Sequence, residues 1–127
     1  MLRKWAGGKM DIKKHKVGEV GIISFLGKTL GEPADSKNFE QHLNEYIDQK
    51  IKKIVLDLKE VQRINSTGLA ILITAATLIS DCGGQKVVLA GSNDFIIGAL
   101  TVTKLNQFFD CYEGIDEALN KINDVAS

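Results

Sequence analysis

The short apolar run Ile54-Val55-Leu56-Asp57-Leu58 constrains this chain most. It does not alternate apolar with polar residues, so it does not suit a strand with one face in water. It reads as a strand covered on both faces, as happens when helices pack on a sheet. A stretch of helical length, Ser66 to Cys82, follows it and is closed by Gly83-Gly84, where a left-handed residue ends a helix. Val87-Val88-Leu89-Ala90 is the next strand. Strand, helix and strand in that order form a parallel crossover unit.

The remaining segments extend the same alternation. Ile12 to Lys16 and Val20 to Leu26 read as a hairpin turning at Gly18. Gly27 to Lys37 holds the only proline, Pro33, and reads as a loop ending in Asp35 or Ser36 as a helix N-cap. Phe39, Leu43, Tyr46, Ile47 and Ile51 then recur at helical spacing, with Glu40, Gln41, Asn44, Glu45 and Asp48 on the water side. Lys59 to Arg63 reads as a polar connection. Asp94 to about Val102 is a shorter helix capped by Ser92 or Asn93. Phe108 to Cys111 is a last strand, and Ile115, Leu119 and Ile122 mark a final amphipathic helix. The expected fold class is α/β, a single-layer mixed β-sheet with helices packed on it.

A chain of 127 residues with 44% hydrophobic and 25% charged residues fits one domain with one core. We expect a flexible N-terminal segment over residues 1–10 and a single domain over 11–127. Sixteen basic and sixteen acidic side chains cancel, so net charge favours neither nucleic acid nor an anionic membrane as partner, and no direct membrane insertion is expected. Arg3, Lys4, Lys9, Lys13, Lys14 and Lys16 crowd the first part of the chain and read as a frayed terminus leading into a solvated edge strand. The beginning lacks the apolar core of a signal peptide and no run is long enough to span a bilayer, which points to the cytoplasm. Cys82 and Cys111 are far apart, with no C-x-x-C pair, so no metal site and no cofactor are expected, and the thiols read as reduced and partly buried.

From Ser66 through Ser80 there is no charged residue, although a helix on a small sheet normally shows water a charged face. On a wheel, Leu69, Leu72, Ile73, Ala76 and Ile79 read as the core stripe, leaving Ile71, Thr74, Ala75 and Leu78 outside. Either another part of this chain covers that outer face, or Ile71, Thr74 and Leu78 form a docking patch. Ser66 stands at the helix entrance, where unpartnered backbone amides and the positive end of the helix dipole favour an anion. A phosphate on Ser66, or on Thr67 as second choice, would add charge there without melting the helix. The alternative reading makes Ser66 or Asn65 a plain N-cap, with Thr67-Gly68 allowing close packing. No acid-base pair or nucleophile elbow surrounds Ser66, and Asp57 reads as a carboxylate satisfying loop amides, so no enzyme is indicated.

The strand Ile54 to Leu58, the motif Ile64-Asn65-Ser66-Thr67-Gly68-Leu69, the apolar helix and Lys86-Val87-Val88-Leu89-Ala90-Gly91 together resemble the STAS domain family over roughly Asp11 to Asp124. Leu105 to Leu119, with Phe108-Phe109, resembles the family's end. The resemblance implies a mixed sheet with four or five helices and, for the antagonist branch, a cytoplasmic regulator rather than an enzyme. Such a regulator binds an anti-sigma factor with serine kinase activity and is switched off by phosphorylation at the position of Ser66, with a phosphatase as a candidate second partner. Asn65, Thr67, Gly68, Ile71, Thr74 and Leu78 are then the expected partner-binding residues. Asn65 stands where many antagonists carry aspartate, so no carboxylate adjoins the hydroxyl. The alternative within the family is a non-phosphorylated STAS scaffold, either in a signalling assembly or as the cytoplasmic subunit of a membrane transporter complex.

Overall fold

The computed structural model describes residues 10–125. Arg3, Lys4 and Lys9 of the basic stretch lie outside the described residues. Met10, placed with the flexible segment on sequence grounds, is instead 5% exposed and packed in the core.

The hairpin forms as expected from β1 (Asp11–Val17) and β2 (Val20–Leu26), antiparallel from Asp11↔Leu26 to Val17↔Val20. Its turn needs a positive φ, which Gly18 supplies at 62°. Helix α1 (Pro33–Asp48) starts earlier than its expected cap at Asp35 or Ser36. Proline fits the first helical position, and Glu32 is the N-cap. Asp35 is buried inside the first turn, where its carboxylate accepts from the amides of Gly31 and Glu32 at 3.2 and 2.9 Å. Ile51, counted with the helix from its spacing, lies beyond it and packs against the core.

Strand β4 (Lys53–Asp57) pairs in parallel with β2 and with β6 (Val87–Ala90), and β6 pairs in parallel with β7 (Phe109–Tyr112). The five-stranded order is β1-β2-β4-β6-β7, mixed because only β1 is antiparallel to its neighbour. Side chains alternate across this sheet. Ile23, Phe25, Ile54, Leu56, Val87 and Leu89 face one core, which α1, α2 (Ser66–Asp81) and α3 (Asp94–Val102) cover. Val20, Ile22, Val55, Val88 and Ala90 face the other, covered by Ala118 and Ile122 of α4 (Ile115–Val125). The run at β4 lacks polar alternation because both of its faces are buried.

A second, two-stranded ladder was not expected. β3 (Thr29–Leu30) and β5 (Arg63–Ile64) pair in parallel inside segments that read as connections. This ladder ties the end of the hairpin to the entrance of α2. Both cysteines are free and exposed, a correction to the partly buried thiols expected of them.

Candidate functional site

The entrance of α2 is built by capping and by close packing. Asn65 is extended, with φ −111° and ψ −170°, and its side-chain oxygen accepts from Gly68 N at 3.0 Å. It is therefore the N-cap, and its backbone oxygen accepts the first helical bond from Leu69 N at 2.9 Å. The carboxamide nitrogen donates to Gly31 O at 3.3 Å, and Asn65 N donates to Leu30 O at 3.3 Å. Gly68 is buried against Leu30, and a Cβ there would collide with the Leu30 carbonyl oxygen and the Ile64 side chain. The expectation that Gly68 allows close packing of the helix start holds for this physical reason.

From the other side, α3 steadies the approach to the motif. Asn93 caps α3 by accepting from Ile96 N at 2.9 Å, and its amide nitrogen donates to Gln62 O at 3.1 Å. Lys28 O accepts from the amides of Gln62 and Arg63 at 2.7 and 2.9 Å. The residues before Ser66 are thus held by the β2–β3 connection on one side and by the start of α3 on the other.

Ser66 is the first residue of α2 and is exposed, and Thr67 is half-buried. Asn65 takes the Gly68 amide, and among the described residues the amides of Ser66 and Thr67 remain the helix's unpartnered donors. The Ser66 hydroxyl is left outside the cap, beside the positive end of a sixteen-residue helix. That arrangement can accommodate a dianionic group with backbone donors and without breaking the cap.

The expected docking patch needs correction. Ile71 is 1% exposed and Gly68 is buried, so neither presents a surface to a partner. The core stripe of α2 is Gly68, Ile71, Leu72, Ala75 and Ile79, turned from the stripe expected on the wheel. Ile73, assigned to that stripe, is 39% exposed and faces out with Ala70 and Thr77. Thr74 and Leu78 are half-buried, and Leu78 packs against the core. A helix with no charged residue from Ser66 to Ser80 carries little phase information, and the seating of Gly68 against Leu30 sets its rotation. Gly68 was the available signal, since a glycine near a helix start marks the side of closest approach.

Asp57 accepts from Ser24 Oγ at 3.1 Å and from Lys59 N at 3.2 Å. It serves a loop amide, as expected of a lone carboxylate at that strand end. No described helix is long and apolar enough to cross a membrane.

A mixed sheet with three helices on one face and one on the other is the architecture that this chain shares with solved anti-sigma-factor antagonists. The STAS domain family model matches residues 14–118, and the chain belongs to that family. A protein of Thermotoga neapolitana, named as an anti-sigma-factor antagonist homologue, is 28% identical over 79 residues, covering 62% of this chain and 69% of that protein. The crystal structure of an anti-sigma-factor antagonist from Mycobacterium paratuberculosis superposes with TM-score 0.77 at 19% identity, covering 91% of this chain and 96% of that one. The Bacillus cell-fate determinant SpoIIAA, solved in its phosphorylated form, superposes with TM-score 0.68 at 12% identity, over 90% and 99% of the two chains. At these identities the structural matches establish the fold.

Proposed function

We propose that this chain is a cytoplasmic anti-sigma-factor antagonist, a binding module that captures an anti-sigma factor with serine kinase activity while Ser66 is unmodified. Phosphorylation of Ser66 releases that partner, and a phosphatase restores binding. The observation that carries this reading is the division of labour at the helix start, where Asn65 supplies the cap and Ser66 keeps an exposed hydroxyl beside unpartnered amides. An added phosphate changes the charge that a partner meets while the fold stays intact. Ser66, Thr67 and the exposed edge of Asn65 form the centre of the contact, flanked along α2 by Ala70, Ile73 and the half-buried Thr74. Leu78 contributes only the part of its side chain left outside the core.

The test is binding of the full chain to its kinase partner, compared with Ser66→Asp. The unmodified chain binds, and Ser66→Asp weakens the complex by about tenfold or more, as a misplaced interfacial charge does. Equal affinity for both would remove the switch.

Asn65 favours a second reading, because an amide stands where a carboxylate would orient the hydroxyl. In it the domain is a constitutive scaffold in a signalling assembly or a transporter complex, and Ser66 stays unmodified. Pull-down from native cells separates the two: a large homologous assembly or a transporter ATPase in place of a kinase selects the scaffold.

A further inference from the structure

Helix α3 turns Ile96 and Leu100 into the core and half-buries Ala99, leaving Asp94, Phe95, Ile97, Gly98, Thr101 and Val102 exposed. Phe95 is 48% exposed, Ile97 40% and Val102 82%, an apolar face that water does not favour. On a helical wheel Gly98 falls in the middle of that face, with Phe95 and Val102 on one side and Ile97 on the other. A glycine inside a helix weakens it, and a Cβ at Gly98 would meet nothing within 4 Å, so packing among the described residues does not require it. Glycine at the centre of an exposed helix face allows another backbone to come close.

The charges bracket this face. Asp94 opens the helix and Lys104 follows its last turn, with no charged residue between them. Among the described residues neither pairs with an opposite charge. Set antiparallel against a second copy of itself, with a two-fold axis near Gly98 and Ala99, α3 brings Asp94 of each chain opposite Lys104 of the other. The two helix dipoles then oppose, which is also favourable. A two-fold interface must be self-complementary, and this helix is acidic at one end, basic at the other and uncharged between. A second copy supplies the reversed pattern twice by symmetry.

We propose that α3 is the two-fold face of a homodimer, closed at Gly98 and held in register by reciprocal Asp94–Lys104 pairs. The inference does not depend on the proposed phosphorylation, and its test uses no kinase. Sedimentation equilibrium of the full chain, from low micromolar to several hundred micromolar, would compare the natural sequence with Gly98→Gln, Asp94→Lys, Lys104→Asp and the double reversal D94K/K104D. Circular dichroism would verify that each is folded, and Gly98→Gln raises helix propensity, so folding is not at risk there. The natural chain should show a monomer–dimer equilibrium. Gly98→Gln and each single reversal should weaken it by about tenfold or more, and the double reversal should regain most of the loss. A monomer at every concentration would leave this face to a different partner and end the proposal. So would a dimer indifferent to the single substitutions, or a double reversal no tighter than either single one.

Discussion

Asn65 and Ser66 are neighbours with separable duties. The Asn65 side chain makes two bonds, accepting from Gly68 N and donating to Gly31 O, whereas Ser66 projects from the first turn into solvent. Asn65→Ala should therefore cost about 1–2 kcal/mol in urea denaturation, the usual cost of removing a cap. Ser66→Ala should stay within about 0.5 kcal/mol of the natural chain, as surface substitutions do. Equal losses would mean that Ser66 shares the capping and is not free for modification. Gly68→Ala is the severe change, because the new methyl must displace the Leu30 carbonyl. A loss of about 2 kcal/mol or more is expected from such overpacking, read as a lower denaturation midpoint.

Among the elements, α2 shows how far the sequence can be read. Its existence, its start at Ser66 and its glycine closure follow from residues alone, and Gly83 does adopt φ 76°. Its rotation does not, because no charged residue from Ser66 to Ser80 marks a water-facing side. Ile71→Ala should remove buried contacts and cost about 2–5 kcal/mol, while Ile73→Ala should change stability by about 0.5 kcal/mol or less. The wheel reading would reverse that order, so thermal melts of the two variants decide between them. The hairpin, the central strands and α4 were legible because their patterns are local: Gly18 at the turn, unbroken apolar strands, and Ile115, Leu119 and Ile122 at helical spacing. The β3–β5 ladder was not, since Thr29-Leu30 and Arg63-Ile64 are too short to show a period and their pairing joins distant segments. Pro33 could have corrected the start of α1, where Asp35 and Ser36 place the cap too far along the chain. At the site, the hydroxyl, the cap and the glycine were readable in sequence. The Gly31 and Leu30 contacts that hold them came only with the tertiary fold.

Across the whole molecule, the sheet transmits burial into pH dependence through Tyr46. Its hydroxyl donates to Ile22 O at 3.1 Å from within the main core, and burial pushes the phenol above its ordinary range. The unfolded phenol ionises near pH ~10, below the folded one, so the unfolded chain loses its proton first. Stability from this group is complete below about pH 10 and is lost as pH rises through the folded value. Tyr46→Phe keeps the ring and should flatten that alkaline fall in melting temperature; an unchanged slope would assign it to other groups.

The proposed switch requires an intact fold carrying two charge states at one serine. Mass spectrometry of the protein isolated from its own cells tests this most directly. A gain of about 80 Da on the peptide containing Ser66, abolished by Ser66→Ala and leaving the circular dichroism unchanged, is the predicted result. An unmodified peptide under every growth condition, or a phosphate confined to Thr67, would contradict it.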